Sequence, residues 1–273
     1  MMNEVFVNGA WLSLDSLSGK LIEPLWTEGA GLIETMRWEH QRFALKTYHE
    51  KRIIQSLELL QWPSLKLSLL WEQVHQALRL KQLEKQSLKI RLTFFPSSLK
   101  PNNTDWLMQV GVAPALGKPN NTFLTVGIKT MPVDGVGSFL GLKSINRLPY
   151  QFLSRNQKNF ETLWNHPEWG LSEGTISNIW LWMGQNRWLI PPPLGQVRGV
   201  MHQWLLDYSH SQGWEVKQQH LMAEVCKEAK GLWLTNALRG ILAVDELDGK
   251  KLNSPNPDEV LECCFKPSGS SFL

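Results

Sequence analysis

The clearest structural signal in the chain is a strict alternation of apolar and polar residues from Leu88 to Phe95. One face of this segment carries Leu88, Ile90, Leu92 and Phe94, and the other carries Lys89, Arg91 and Thr93. Successive side chains of a β-strand point to opposite faces, so this period predicts a strand that is buried on one face. Residues 105–112 have a similar pattern and are predicted to be a neighbouring strand.

Helical periodicity precedes this strand. The apolar residues between Thr47 and Leu60 follow helical spacing, Pro63 ends that helix, and a second helix is predicted at 67–80. Further along, short strands are predicted at 122–129, 176–183, 187–190 and 232–235. Helices are predicted from Pro149 to about Phe160 and from Gly199 to His210. The mixture predicts an α+β fold.

The domain organisation follows from length and from one loop. The chain has 273 residues, which favours two modest domains or one large one. The segment Gly117-Lys-Pro-Asn-Asn-Thr122 concentrates loop-forming residues and is the best candidate for a linker. We therefore predict an N-terminal domain at 1–115 and a C-terminal domain at 122–273.

Composition excludes several classes of function. The net charge is +3, and basic residues occur singly or in pairs, which argues against nucleic-acid binding. The three cysteines have no CxxC or Cys/His spacing, so no metal site is expected. The N-terminus lacks the features of a signal peptide, and no apolar stretch is long enough to span a membrane. We expect a cytoplasmic protein that binds a small anionic substrate.

Two segments contain residues suited to carbonyl chemistry. Lys143 lies in an apolar-flanked segment ahead of a predicted helix, where a desolvated amine would form a Schiff base. Thirty residues later, Glu173 lies on a Glu-Gly turn that leads into a strand, where its carboxylate would suit a pyridinium nitrogen. Taken singly, Lys143 is better explained as a solvated lysine and Glu173 as a surface glutamate in a hairpin.

Three further segments offer donors for a phosphate. His49 and Arg52 share one face of the first helix. Gly199 begins a helix whose first amides, those of Val200 and Met201, would point at an anion. The polar turn 235–240 follows a buried strand. Each also has a plain structural explanation, as a surface arginine, a turn and a strand end.

The order and spacing of these segments change the interpretation. They closely resemble the motifs of the class IV aminotransferases, the fold-type IV pyridoxal-phosphate enzymes, over residues 4–250. The matching motifs are GLIETMR at 31–37, HxxR at 49–52, KSINRL at 143–148, SEGTISN at 172–178, VRGVM at 197–201 and TNALRG at 235–240.

The resemblance implies a fold, a cofactor and residue roles. The fold would be a D-amino acid aminotransferase-like one, with a small N-terminal α/β domain, a larger C-terminal α/β barrel-like domain and pyridoxal 5'-phosphate in the cleft between them. Lys143 would hold the cofactor covalently and move protons, and Glu173 would pair with its ring nitrogen. The phosphate would be bound by Arg52, Val200, Met201, Asn236 and Ala237, while Val197 would pack against the ring. Family members are usually homodimers, so a homodimer is expected.

Within the family, the resemblance is strongest to the 4-amino-4-deoxychorismate lyases, which release 4-aminobenzoate and pyruvate for folate biosynthesis. Transaminases typically have Gly-Thr in the phosphate turn and Thr-Arg at the helix start, where this chain has Asn236-Ala237 and Met201-His202. His202 stands in place of the arginine, which differs from both the lyases and the transaminases. Substrate-binding candidates, chosen from charge and position, are Thr35, Arg37, Lys89, Arg91 and Arg239.

Two alternatives remain. A branched-chain or D-amino-acid aminotransferase would use the same Lys143. A non-catalytic ligand-binding or assembly protein would keep the fold, with its tryptophans serving an interface, although Lys143, Glu173 and Arg52 are all present.

Overall fold

A computed structural model describes residues 3–7, 9–100, 102–119, 122–130, 141–155 and 159–265. The described residues form two compact units. The first contains the residues up to Pro114 together with Lys143–Asn146, and the second contains the others from Ala115 onward. Two sheets with flanking helices confirm the predicted α+β class. Among the described residues, no helix is long and apolar enough to cross a membrane.

The first unit is a six-stranded antiparallel sheet with helices. Its elements are β1 (Glu4–Val7), β2 (Ala10–Ser13), α1 (Glu23–Thr27), β3 (Leu32–Glu39), β4 (Arg42–Phe43), α2 (Lys46–Leu59), α3 (Leu67–Leu80), β5 (Leu88–Pro96) and β6 (Thr104–Val112). The strand order is β2-β1-β6-β5-β3-β4. The predicted helices at 47–60 and 67–80 and the strand at 88–95 are confirmed to within one residue at each end.

The register of β3 against β5 separates the two faces of this sheet. Glu34 pairs with Leu92 and Met36 with Ile90, and on this face Glu34 contacts side chains of α2. Thr35 pairs with Arg91 and Arg37 with Lys89, so these four polar residues share the opposite face. The alternation predicted for β5 therefore divides an apolar, helix-covered face from a face rich in cations.

The segment Lys143–Asn146 belongs to the first unit, although it follows 28 residues of the second unit in the chain. The carbonyl of Lys143 accepts from the amide of Ile33 at 2.7 Å, and the amide of Ile145 donates to Gly31 at 2.9 Å. Ser144 forms an isolated antiparallel bridge with Leu32. These backbone hydrogen bonds attach the Lys143 segment to the start of β3.

The second unit contains a ten-stranded sheet and four helices among its described residues. Its elements are β7 (Thr125–Thr130), α4 (Leu148–Ser154), β8 (Glu161–His166), β9 (Gly170–Gly174), β10 (Asn178–Gly184), β11 (Arg187–Ile190), α5 (Val200–Ser211), β12 (Glu215–Gln218), α6 (Ala223–Glu228), β13 (Gly231–Asn236), β14 (Gly240–Ala243), β15 (Glu246–Leu247), β16 (Lys250–Lys251) and α7 (Asp258–Phe265).

The second sheet combines parallel and antiparallel pairs. Its main path runs β12-β11-β10-β9-β8-β7-β15-β16, and β13 joins β10 on one side and β14 on the other. The helix predicted from Pro149 to about Phe160 was too long, because α4 ends at Ser154. Residues from Glu161 instead form β8, which pairs in parallel with β7.

Four of the 14 tryptophans account for much of the aromatic packing in the second unit. Trp188 lies in contact with the rings of Trp180, Trp214 and Trp233, with centroid distances of 4.3–6.1 Å. Trp180 and Trp233 are almost fully buried. Large aromatic rings fill the space between strands and helices, so this cluster is part of the core.

Candidate active site

Lys143 lies beside a small cavity in the first unit. The cavity is lined by Leu32, Ile33, Glu34, Ile53, Ser56, Phe94 and Lys143. Most of these residues come from β3, α2 and β5, which surround the lysine with apolar groups and two polar ones. Because Lys143 is attached by backbone hydrogen bonds to β3, its position depends on a strand that lies more than a hundred residues earlier in the sequence.

Arg52 takes part in a buried ionic cluster with Glu34 and His49. Its Nε donates to Oε1 of Glu34 at 2.6 Å and its Nη2 donates to Oε2 at 2.6 Å. The Nδ1 of His49 lies 2.5 Å from Oε2 of the same carboxylate. Two parallel N–H···O bonds fix the plane of a guanidinium, so Glu34 sets the orientation in which Arg52 meets any anion.

The charges of this cluster are fixed by its environment. Burial alone would raise the pKa of Glu34, but the charge of Arg52 and the contact with His49 lower it to about 2. Burial lowers the pKa of His49 below its usual value. His49 is therefore neutral at pH 7, with its proton on Nδ1 facing the carboxylate, and its buried Nε2 has no hydrogen-bond partner among the described residues.

Glu173 is the penultimate residue of the buried strand β9 in the second unit, and both of its carboxylate oxygens accept hydrogen bonds. Its Oε1 accepts from the hydroxyl of Tyr150 at 2.7 Å, and its Oε2 accepts from the amide of Val197 at 3.0 Å. The residue is 3% exposed. A carboxylate held at both oxygens on a rigid strand is preorganised, which suits an anion that must pair with a cationic ring nitrogen. The surface-glutamate explanation is excluded by its burial.

Two glycines in the predicted motifs are required by neighbouring side chains. A Cβ on Gly174 would lie 2.2 Å from Oε1 of Glu161, and a Cβ on Gly199 would lie 1.9 Å from Oδ1 of Asn178. Asn178 also donates to the carbonyl of Val197 at 2.9 Å. The glycines therefore let two buried polar side chains reach the backbone of the motif segments, and Asn178 holds the stretch that leads into α5.

The start of α5 has the chemistry of an anion site. Its N-terminus has no side-chain cap, and the amides of Val200 and Met201 have no acceptor among the described residues. Thr235 faces Asn178 directly across the β10–β13 pair, so its side chain lies on the same face of the sheet as Asn178. Its hydroxyl is buried and has no hydrogen-bond partner among the described residues. These unoccupied donors fit a phosphate.

The turn after β13 is organised by Asn236. Its Oδ1 accepts from the amides of Leu238 and Arg239 at 3.1 and 2.9 Å, and its Nδ2 donates to the hydroxyl of Ser177 at 3.2 Å. Asn236 therefore shapes the turn with its side chain. The amide of Ala237 has no partner among the described residues and is the donor that the turn offers to an anion.

Met201 and His202 occupy the positions where transaminases typically have Thr-Arg. Met201 is fully buried, and its sulfur lies 3.8 Å from Sγ of Cys264, so only its backbone amide is available to a ligand. The Nδ1 of His202 accepts from the indole N–H of Trp180 at 2.9 Å. Burial lowers the pKa of His202 to about 4, so this neutral side chain packs on the aromatic core.

The substrate-binding candidates fall in two places. Thr35, Arg37, Lys89 and Arg91 share one face of the first sheet. Arg37 is buried there, with its guanidinium donating to the carboxylate of Glu39 and to the carbonyl of Pro114. Arg239 lies in the second unit, 5.9 Å from the ring centre of Phe160. Their contacts with a substrate stay predictions.

Sequence reasoning did not identify Tyr150, Ser56 or Thr235 as site residues. No sequence pattern marks Tyr150 or Ser56 as a site residue, because each has the spacing of an ordinary residue in an amphipathic helix. Thr235 was included only as part of a polar turn. Glu161 also carried no signal, because it begins a strand of mixed composition (ETLWNH) in which a glutamate is not unusual.

Comparison with known proteins supports the predicted family. The model of the amino-transferase class IV family matches residues 31–247. A putative branched-chain-amino-acid aminotransferase from Methanocaldococcus jannaschii is 26% identical over 163 residues, which cover 58% of this chain. The match spans 55% of that relative, or about half its length.

Three solved structures share the fold. A 4-amino-4-deoxychorismate lyase from Pseudomonas aeruginosa gives a TM-score of 0.78 at 19% identity, over 94% of this chain and 96% of that one. A branched-chain aminotransferase from Thermoproteus uzoniensis gives 0.76 at 16%, over 95% and 92%. The PLP-bound form of a hypothetical aminotransferase from Mycobacterium tuberculosis gives 0.74 at 18%, over 94% and 95%.

The family match covers well over half of the chain and includes all six motifs, from the glycine at position 31 to the turn after β13. The chain belongs to the class IV aminotransferases, a family of pyridoxal-phosphate enzymes.

Proposed function

We propose that this enzyme is a 4-amino-4-deoxychorismate lyase, which releases 4-aminobenzoate and pyruvate in folate biosynthesis. The observation that carries the proposal is the turn after β13. It contains Asn236-Ala237 where transaminases typically have Gly-Thr, and Asn236 is built into the turn by three hydrogen bonds. The buried Met201, which stands where transaminases typically have a hydroxyl residue, also favours the lyase.

The residues present fit pyridoxal phosphate. In this proposal Lys143 binds the cofactor covalently and Glu173 pairs with its ring nitrogen. The phosphate is bound by the amides of Val200, Met201 and Ala237, with Arg52 as the cationic partner, and Val197 packs against the ring. The unpartnered hydroxyl of Thr235 supplies the donor that Met201 lacks. A bound phosphate would supply an acceptor for the donors of the second unit.

In the proposed reaction, Lys143 transfers protons and Glu173 stabilises charge on the cofactor ring. When bound, the cofactor supplies an electron sink for a substrate amine. The amine of Lys143, which the substrate amine would release from the cofactor, would remove the proton from the amine-bearing carbon of the substrate. The enolpyruvyl group would leave as enolpyruvate, which takes up a proton to become pyruvate, and the ring would become aromatic. Tyr150 and the amide of Val197 keep the carboxylate of Glu173 in one orientation. The carboxylate therefore does not have to reorient during the reaction.

The substrate carries two carboxylates, which need cationic partners. Lys89 and Arg91 lie on one face of the first sheet, where Thr35 lies opposite Arg91 and adds a hydroxyl donor. We assign the carboxylates to these three residues. Arg37 on the same face, whose guanidinium is paired with Glu39, and Arg239 in the second unit are further candidates.

The second candidate function is a branched-chain or D-amino-acid aminotransferase. The relative from Methanocaldococcus jannaschii, a putative branched-chain-amino-acid aminotransferase, favours it. Lys143, Glu173 and the phosphate donors would serve either reaction. The family assignment favours an enzyme over the non-catalytic ligand-binding alternative, and a yellow purified protein that binds pyridoxal phosphate would support it.

Product analysis separates the two reactions. Purified enzyme supplied with aminodeoxychorismate, and with no 2-oxo acid, is expected to form 4-aminobenzoate and pyruvate in equal amounts. Lys143→Ala should abolish the reaction, and Lys129→Ala should leave it intact. Glutamate-dependent transamination of branched-chain 2-oxo acids, with no 4-aminobenzoate formed, would establish the aminotransferase instead.

A homodimer and a cytoplasmic location complete the proposal. Both come from the family resemblance. Sedimentation of the purified protein at twice the 31.3 kDa chain mass would support the dimer, and sedimentation at the mass of one chain would contradict it.

A further inference from the structure

Glu161, the first residue of β8, is a buried carboxyl group with no part in the proposed reaction. It is 0% exposed. Its Oε1 accepts from the amides of Ile176 and Ser177 at 2.7 and 3.0 Å, and its Oε2 accepts from the Ser177 hydroxyl at 2.8 Å. Burial raises its pKa. A carboxyl group is costly to bury even when it is hydrogen-bonded, so its presence calls for a role.

Hydrogen bonds connect this carboxyl group to the turn that offers Ala237. Ser177 donates to Glu161 and accepts from Nδ2 of Asn236, whose Oδ1 in turn accepts from the amides of Leu238 and Arg239. The connection therefore runs from β8 through the 175–177 turn to the end of β13. Every step joins residues of the second unit.

The chemistry of each group fixes the direction of the connection. Ser177 has one hydroxyl proton, and it donates that proton to Oε2 of Glu161 at 2.8 Å. The hydroxyl oxygen is then left as an acceptor, which selects the NH₂ end of the Asn236 carboxamide. The oxygen end must face the turn, where it accepts from the amides of Leu238 and Arg239 and leaves the amide of Ala237 without a partner among the described residues.

We propose that Glu161 and Ser177 are positioning residues that set the orientation of the Asn236 carboxamide and thereby present the Ala237 amide to the cofactor phosphate. The inference rests on the proposed function, from which it takes the identity of the anion. It adds a buried serine and a buried glutamate, neither of which contacts the cofactor, as determinants of phosphate binding.

The test compares two ligands that differ only in the phosphate. The full-length protein, freed of cofactor by dialysis, is titrated with pyridoxal phosphate and with pyridoxal, and the ratio of the two dissociation constants is measured. Ser177→Ala should weaken pyridoxal phosphate about tenfold, the scale of one buried hydrogen bond, and leave pyridoxal within about twofold. Ser177→Thr keeps the hydroxyl and should retain the wild-type ratio.

Ser209→Ala is the matched control. Ser209 is equally buried in the same unit, but its hydroxyl donates only to the carbonyl of Leu206, at 2.7 Å. Its loss should change neither dissociation constant. If Ser177→Ala weakens the binding of both ligands equally, Ser177 has a purely structural role. That result would overturn the proposal, as would dissociation constants that do not change.

Glu161→Gln provides a second variant if Ser177→Ala does not fold. The glutamine can still accept from the two backbone amides, but its NH₂ group turns the Ser177 proton away from β8 and toward Asn236. The same selective weakening of pyridoxal phosphate is expected. Wild-type protein that binds pyridoxal phosphate no better than pyridoxal would contradict the proposed function itself. A wild-type preference for the phosphate that survives in both variants would contradict only the positioning role.

Discussion

The hydroxyl of Tyr150 lies 2.7 Å from Oε1 of Glu173 and holds that carboxylate from the side opposite the Val197 amide. Burial and the nearby charge of Glu173 raise the pKa of Tyr150, so the hydroxyl keeps its proton and acts as a donor. The guanidinium of Arg147 lies 3.7 Å above the Tyr150 ring and also donates to the carbonyl of Thr175. Glu173 is therefore held by a tyrosine that is itself fixed in place.

Tyr150→Phe tests this arrangement. The variant keeps the ring and removes the donor, so we expect kcat to fall about tenfold while KM changes little, because the orientation of Glu173 matters most in the transition state. Steady-state kinetics of the reaction established by product analysis will measure both. Tyr208→Phe, which removes a hydroxyl from α5, should keep the wild-type kcat. A Tyr150→Phe enzyme with wild-type kcat would remove Tyr150 from the site.

Lys143 is expected to carry the cofactor. Borohydride reduction of the holoenzyme followed by peptide mapping should place the pyridoxyl label on the peptide that contains Lys143. Lys143→Ala should lose the label, and Lys129→Ala should retain it. A label on any other lysine would refute the assignment.

The buried pair of Glu34 and Arg52 predicts a pH dependence of stability. The pKa of Glu34 lies near 2 in the folded chain against a reference of 4.5, so folding is stabilised above about pH 4.5 and this contribution is lost as the pH falls toward 2. The shift corresponds to on the order of 3 kcal/mol. His49, whose pKa is lowered by burial, acts in the same direction as the pH falls below about 6.5.

Urea unfolding of Glu34→Gln at pH 7, 5 and 3 measures this contribution. At pH 7 the variant should lose about 3–5 kcal/mol, because it leaves Arg52 buried without its carboxylate, and its stability should fall less steeply with acid. Glu58→Gln, an exposed change of the same charge in α2, should match the wild type at each pH. Identical acid dependence in wild type and Glu34→Gln would contradict the assignment.

Gly199→Ala should damage the start of α5. A Cβ there would lie 1.9 Å from Oδ1 of Asn178, so either the carboxamide or the helix must move. We expect a loss of about 1–3 kcal/mol in stability and weaker binding of pyridoxal phosphate. Gly19→Ala, where nothing lies within 4 Å, is the control. Adding Asn178→Ala to Gly199→Ala should recover part of the stability; a double variant with no recovery would show that the clash lies elsewhere.

Thr235→Val removes a hydroxyl that has no partner within the described residues. No hydrogen bond of the protein is lost, so the stability of the cofactor-free protein should stay within about 0.5 kcal/mol of wild type or rise. If the hydroxyl donates to the phosphate, the dissociation constant of pyridoxal phosphate should increase about tenfold while that of pyridoxal is unchanged. Unaltered binding of pyridoxal phosphate would exclude Thr235 from the site.

Periodic segments were predictable because one face of each is buried. The helix α2 and the strand β5 lie where their apolar spacing indicates. The strand β3 had no such signal, because residues on both of its faces are buried and its sequence LIETMRWE does not alternate. The end of α4 was also missed, because the helix stops at Ser154, before the segment that leads into β8.

By itself, the sequence determined the family and the fold class and proposed the residues of the candidate site, because six motifs occur in order along the chain. Only the tertiary structure decided how those residues are held. It attached Lys143 to β3 and joined Arg52 to Glu34. It also occupied both oxygens of Glu173 and directed the Asn236 side chain into its own turn. Apart from the local contact of Asn236, these contacts join residues 18 or more positions apart, and a hydrogen bond between two such residues leaves no periodicity in either segment.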